Sequence, residues 1–284
     1  MKARTAQAKV NPIPPEAPIS TPHEEKLVKE RKAIGSNVVY EAIRREGEDE
    51  LSRPSSALAW SGFAAGLSMG FSFVAEGLLR THLPEARWTP LITKFGYSVG
   101  FLIVVLGRQQ LFTENTLTVI LPLLVRKNMD TLLRVLRLWA VVLTANLAGT
   151  FLFALCLARI ALFDVRTQQA FVQIGAEHFT SNLGLTALRA VFAGWLIALM
   201  VWLLPAAESA KVGVIIIITY LIGLGAFNHI IAGSTTTLFM VAAGARSVPE
   251  YLLQFMIPTL LGNIAGGVSL VAALGHAQVA GGKN

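Results

Sequence analysis

The sequence predicts an all-α membrane protein of six transmembrane helices, arranged as two inverted three-helix repeats whose second and fifth helices are broken. Three observations predict it. Of 284 residues, 54% are hydrophobic and only 14% are charged, too few charges to cover a soluble surface of this size. Six apolar stretches each approach or exceed the ~20 residues that a bilayer requires. Polar residues interrupt two of those stretches at matching places. Lipid cannot satisfy freed backbone groups, so such breaks survive only when buried in protein or facing water.

Residues 1 to 19, with Pro12, Pro14, Pro15 and Pro18, read as a flexible tail. Ser20 to Arg53 read as charged helices with a weak apolar stripe of Leu27, Val28, Val38, Val39, Ala42 and Ile43, suited to lie along the membrane surface. Residues 1–53 are therefore expected to form a cytoplasmic tail with charged amphipathic helices. Residues 54–284 are expected to form the transmembrane transport domain, with repeats at about 54–158 and 183–275. The spanning segments fall at roughly 57–79, 91–125, 131–157, 183–204, 212–243 and 251–274. No apolar h-region opens the chain, so the first membrane helix is expected to direct insertion. Six crossings put both termini on one side. Arg44, Arg45, Arg53, Arg126, Lys127, Arg134, Arg137 and Lys211, against Arg80, Arg87, Lys94, Arg159, Arg166 and Arg246, assign that side to the cytoplasm.

The net charge of +7 is unevenly placed. Residues 1–53 hold 10 Lys/Arg and 9 Asp/Glu, leaving 14 and 8 for the rest, so the excess lies in the membrane part. It suits anionic lipid headgroups and equally an anionic permeant. Cys156 is alone in an apolar helix, which excludes an internal disulfide and leaves it a packing role. No nucleophile–base pair, phosphate loop or metal-ligand cluster is present, so neither an enzyme nor a cofactor or metal site is expected. Basic residues at the amino terminus are nearly balanced by acidic ones, which argues against nucleic acid.

The break in the fifth segment runs from Gly225 to Ser234 with His229 at its centre, and that in the second runs from Gly107 to Asn115. The next segments carry Asn146-Leu147-Ala148-Gly149 and Asn263-Ile264-Ala265-Gly266. Thr113 precedes Asn146 by 33 residues and His229 precedes Asn263 by 34, which makes Thr113 the expected counterpart of His229. Three crossings per repeat force the halves to be inverted. The glycines permit close helix approach, and Asn146 and Asn263 are expected to bond across helices or to freed backbone.

Leu111-Phe112-Thr113, His229, and Pro258 with Gly262-Asn263-Ile264 resemble the formate/nitrite transporter family over residues 54 to 275. The run Gly107 to Asn115 and the tail His276-Ala277-Gln278 look like a less characterised branch of it, typified by an enterobacterial inner-membrane protein. The resemblance implies an aquaporin-like protomer, a homopentamer with one pore per subunit, a bacterial inner membrane, and passage of small monovalent anions such as formate or nitrite. The departures fall on the implied pore. Arg108-Gln109-Gln110 replaces a Gly-small-acid triplet, and Glu114 replaces a small residue. Asn228 replaces the acid before the histidine, and Gly194 replaces an asparagine of the fourth helix. No lysine precedes that helix; Glu177-His178 occupies the region.

An anion in an apolar pore faces a desolvation cost of several kcal/mol, which some group must offset. His229 can do so as an imidazolium paired with the anion, or as a neutral imidazole bonded to water or Thr113 that helps a weak acid cross uncharged. Burial favours the neutral form. A histidine bonded between helices for packing is the bland alternative. Arg108 is expected to face a cavity or pair with Glu114 or Glu76, as a clamp or as an anion site. From the family alignment Leu111, Phe112, Ile197 and Ile222 would form apolar constrictions that gate by dewetting, joined by Phe101 and Tyr97. Arg134, Arg137 and Arg189 read as interfacial anchors. The alternative function is a pore for water or small neutral solutes, suggested by the topology and the lost acid and asparagine.

Overall fold

The computed structural model describes residues 34–180 and 182–271, and every regular element among them is helical. The tail over 1–19, the stripe residues Leu27 and Val28, and His276 to Gln278 lie outside the described residues. Ten helices follow in order. They are α1 (Ser36–Ser52), α2 (Ser55–His82), α3 (Thr89–Leu106), α4 (Asn115–Arg126), α5 (Met129–Arg159) and α6 (Val165–Ala176), then α7 (Leu183–Leu203), α8 (Lys211–Leu224), α9 (Ile230–Ala242) and α10 (Val248–Leu270). Five are long and apolar enough to cross a membrane, namely α2, α3, α5, α10 and α7 with its continuation to Ala206. The fifth expected segment instead consists of two shorter pieces, α8 and α9, because the chain leaves helical geometry before Ile230.

α1 turns Val39, Ile43, Gly47 and Leu51 inward at the three-to-four-residue spacing of one helix face. Val38, expected in that stripe, is exposed. A Cβ on Gly47 would run into the Thr118 carbonyl of α4, so the two helices touch backbone to backbone there. Arg137 donates to the carbonyls of Leu51 and Arg53 at 3.0 and 3.1 Å, which satisfies the carboxyl end of α1. It ties two elements together. Cys156, expected to pack, is exposed on α5.

The two most extensive helix pairs are α2 with α5 and α7 with α10. Both depend on a missing side chain. A Cβ on Gly66 would collide with the Asn146 carbonyl, and one on Gly194 with the Asn263 carbonyl.

The two breaks share one hydrogen-bond pattern. Gly107 donates to Ile103 O and Gly225 to Leu221 O, each at 2.9 Å. Arg108 and Ala226 donate to Val105 O and Gly223 O at 3.1 and 3.2 Å, and Gln109 and Phe227 donate to Val104 O and Ile222 O at 2.9 and 3.0 Å. Arg108 and Ala226 take φ values of 49° and 51°, a left-handed geometry that costs a non-glycine residue roughly 1–2 kcal/mol. Asn146 Oδ1 accepts from Phe112 N–H at 2.9 Å, and its Nδ2 donates to Gly62 O and Gln110 O at 2.7 and 2.8 Å. Asn263 repeats this on Ile230 N–H, Ala190 O and Asn228 O, all at 2.8 Å. The register therefore matches Arg108 with Ala226, Leu111 with His229 and Phe112 with Ile230. It corrects the expected equivalence of Thr113 and His229.

α6 has no counterpart among the expected elements. Asp164 caps it by accepting from Thr167 N–H at 2.8 Å, and it buries Ala170, Phe171 and Ile174. Phe171 packs on Phe73 of α2 and Phe239 of α9 with ring centroids 4.7 and 5.8 Å apart.

Candidate functional site

The two breaks meet at His229. The residue is fully buried and caps α9: its Nδ1 accepts from the N–H groups of Ile231 and Ala232 at 3.3 and 3.2 Å. An Nδ1 that accepts carries no hydrogen, so the single ring hydrogen sits on Nε2. That atom lies 2.7 Å from Thr113 Oγ1 and donates to it. His229 is thus a neutral imidazole of one tautomer, oriented by a helix end on one side and a hydroxyl on the other. The ring of Phe101 meets it edge to face at 5.0 Å, with Tyr97 5.3 Å behind. His229, Thr113 and Phe101, expected from the sequence, are in direct contact.

The other candidates divide. Leu111, Ile197 and Ile222 are buried, and Ile222 borders a small cavity that also touches Asn228 and His178. Phe112 is buried but packs edge to face on Trp139 of α5 at 5.8 Å. Asn228 donates to Thr186 O and stands 3.3 Å from His178 Nδ1, so it holds the second break to α7 and to the segment before it. Gly194 belongs to the α7–α10 crossing, where an asparagine has no room. Arg108 is paired neither with Glu114 nor with Glu76. Its side chain is 82% exposed and donates to Glu46 of α1 at 3.0 Å, because the left-handed turn at Arg108 points it out of the bundle.

Glu76 is occupied by a residue the sequence reading did not pair with it. Lys94 Nζ forms an ion pair with Glu76 on the adjacent helix, and reaches Glu177 Oε2 at 3.4 Å. Glu177 also accepts from Arg80 at 2.9 Å. The charges alternate along Arg80, Glu177, Lys94 and Glu76. A charged residue in each of two apolar segments was the available signal, since buried charges pair. Lys94 and Glu177 border both the small cavity beside Asn228 and an open cavity of about 700 Å³ lined by Arg80, Arg166 and Ala226. A lysine therefore stands beside Glu177-His178 after all, delivered by α3 rather than by the residues ahead of α7. Burial opposes ionisation of Glu177, but Lys94 and Arg80 together hold its carboxyl below the usual range. Burial pushes the neighbouring His178 down to about 4, helped by the charge of Lys94.

The chain is similar to known proteins in sequence and in fold. The formate/nitrite transporter family model covers residues 37–277. The chain is 42% identical over 241 residues to the inner membrane protein YfdC of Escherichia coli (strain K12), spanning 85% of this chain and 78% of that one. It is 25% identical over 240 residues to the formate channel BtFdhC of Bacillus thuringiensis, spanning 82% and 91%. Its fold matches a pentameric formate channel with formate bound at a TM-score of 0.65 and 19% identity, covering 84% of this chain and 99% of that one.

Proposed function

The chain belongs to the formate/nitrite transporter family, and from that membership we propose that it forms a channel or secondary transporter for small monovalent anions of the formate/nitrite class, centred on His229 and Thr113. Related proteins named as formate channels support the substrate class. The observation that carries the reading is the buried His229–Thr113 bond at the junction of the two breaks. With Nε2–H committed to Thr113 Oγ1, the threonine hydroxyl hydrogen is free to turn toward an acceptor. A small oxyanion or its conjugate acid fits that donor, and the surrounding Phe101, Ile197, Ile222 and Leu111 reject a hydrated ion.

The same proposal includes six crossings in two inverted three-helix repeats, with α3–α4 and α8–α9 as the broken second and fifth members. The shared hydrogen-bond pattern of the breaks supports it. It also includes a homopentamer in a bacterial inner membrane, surrounded by lipid, with both termini cytoplasmic. The fold match to a pentameric channel and the relative named as an inner membrane protein support this part. Residues 1–53 are proposed as the cytoplasmic portion and 54–284 as the transport domain.

Formate uptake by proteoliposomes tests the mechanism. Uptake is expected to depend on pH, and His229→Ala to change the rate and the pH profile; an unchanged rate and profile rejects the role of His229. The neutrality of the His229–Thr113 pair also suits an uncharged solute. Osmotic water flux without anion-dependent current or acidification decides for that second reading.

A further inference from the structure

α10 opens on an irregular turn. Pro258 has no N–H, and in a plain α-helix its ring would press on the Gln254 carbonyl. Ile257 N–H instead reaches Leu252 O, five residues back, and Tyr251 to Met256 form a wider π turn. Single turns of this kind inside α-helices recur at functional sites. Here the turn stacks Tyr251 and Phe255, both buried, with ring centroids 6.3 Å apart. Both residues meet α9 in the turn that follows His229. A Cβ on Gly233 would collide with the Phe255 ring, and Tyr251 Oη bonds Ser234 Oγ at 3.0 Å. Gly233 N–H is the group that donates to His229 O, at 2.8 Å. Phe255 also has a neighbour on the other side of the same histidine. The ring of His178 meets it edge to face at 5.6 Å, and His178 Nδ1 stands 3.3 Å from Oδ1 of Asn228, the residue before His229.

We propose that Phe255 is a positioning residue for His229, gripping the first turn of α9 through Gly233 and the end of the second break through His178 and Asn228. The proposal rests on the reading of His229 as the centre of the pathway. The orientation of the imidazole depends on the N–H groups of Ile231 and Ala232, which meet Nδ1 only while the first turn of α9 keeps its helical geometry. Helix ends fray, and packing from outside the helix is what restrains them. Phe255 supplies that packing one residue beyond Ala232. Gly233 has no side chain, so the contact is ring against backbone, with no rotamer between them to absorb a shift. Once the turn loosens, Nδ1 loses its two donors and the ring hydrogen is free to move to it, which deprives Thr113 Oγ1 of its own donor. Phe255 acts through His229 and not on the permeant.

Nitrogen NMR of the full-length protein with ring-labelled histidine tests this, the His229 signal being identified by its loss in His229→Gln. Wild-type His229 is expected to show the Nε2–H tautomer alone. Phe255→Leu is expected to add the Nδ1–H form to that signal, and to lower formate flux in proteoliposomes about tenfold. Phe239→Leu is the control. It removes an equally buried ring from α9 itself, packed on Phe73 and Phe171, and is expected to leave the His229 signal single. Where Phe255→Leu does not fold, Tyr251→Phe removes only the bond to Ser234 and is expected to produce a smaller change of the same kind. A wild type that already shows both forms, or a single form persisting in whichever variant folds, overturns the proposal. So does an equal change in Phe239→Leu, which marks a general loosening of the core. Wild-type protein that moves no formate overturns the transport reading instead, and the NMR comparison still decides whether Phe255 holds His229.

Discussion

Asn146 and Asn263 hold the two helix breaks by the same three bonds, one accepted from a backbone N–H and two donated to carbonyls. Replacing either by leucine strands one buried donor and two buried acceptors. Asn146→Leu and Asn263→Leu are each expected to destabilise the protein by at least about 1–3 kcal/mol, the cost of one such orphan. Thermal unfolding in detergent measures this. A loss from one substitution and none from the other would show the two asparagines to be unequal.

Gly194 sits against the Asn263 carbonyl, whereas a Cβ at Gly213 of α8 would meet nothing within 4 Å. Gly194→Asn is therefore expected to prevent assembly of a folded protein, and Gly194→Ala to destabilise it by about 1–3 kcal/mol through overpacking. Gly213→Ala is expected to be neutral or slightly stabilising. Size-exclusion profiles and thermal midpoints of the three variants check this; a well-folded Gly194→Asn protein would falsify the placement.

Lys94 and Glu76 have side chains 17% and 5% exposed, so each leaves a buried charge when the other is removed. Lys94→Met is expected to cost about 3–5 kcal/mol, and Lys94→Met with Glu76→Met together to recover most of it. The double-mutant cycle in thermal unfolding tests the pair, and simple additivity of the two losses refutes it.

His178 binds its proton only near pH 4 when folded, against 6.5 ordinarily. Between those values the unfolded chain holds a proton that the folded chain does not. This contribution to stability is therefore present above pH 6.5 and lost as the pH falls toward about 4. The thermal midpoint of His178→Phe is expected to fall less over that interval than the wild-type midpoint. An equal fall means that other groups carry the acid sensitivity.

The broken helices, the membrane character and the meeting of His229 with Thr113 were all legible in the sequence, because polar runs inside apolar segments have few physical outcomes. The register was not. Counting from Thr113 and His229 to the asparagines differed by one residue, and only the bonds to Phe112 and Ile230 showed that Leu111 is the true counterpart. Arg108 was misread for a related reason: depth along a segment says nothing about direction, and the positive φ at that residue sends its side chain out to Glu46. Lys94 and Glu76 lie on different helices, and no local pattern announced their pairing. α6 was missed although Asp164 with Thr167 is a cap signal, since its short apolar face of Ala170, Phe171 and Ile174 stands beside much stronger membrane segments.

α4 and α9 both begin beside the contact of Thr113 with His229, one just after each break. Each carries the equivalent of roughly half a positive charge at that end. Two such ends beginning beside one buried contact add positive potential there that owes nothing to any ionised side chain. It does not titrate, and no substitution at His229 or Thr113 removes it while the helices stand. In the transport reading proposed above, the attraction of a negative visitor to that point would therefore lie in the backbone, and the side chains there would be free to determine which one.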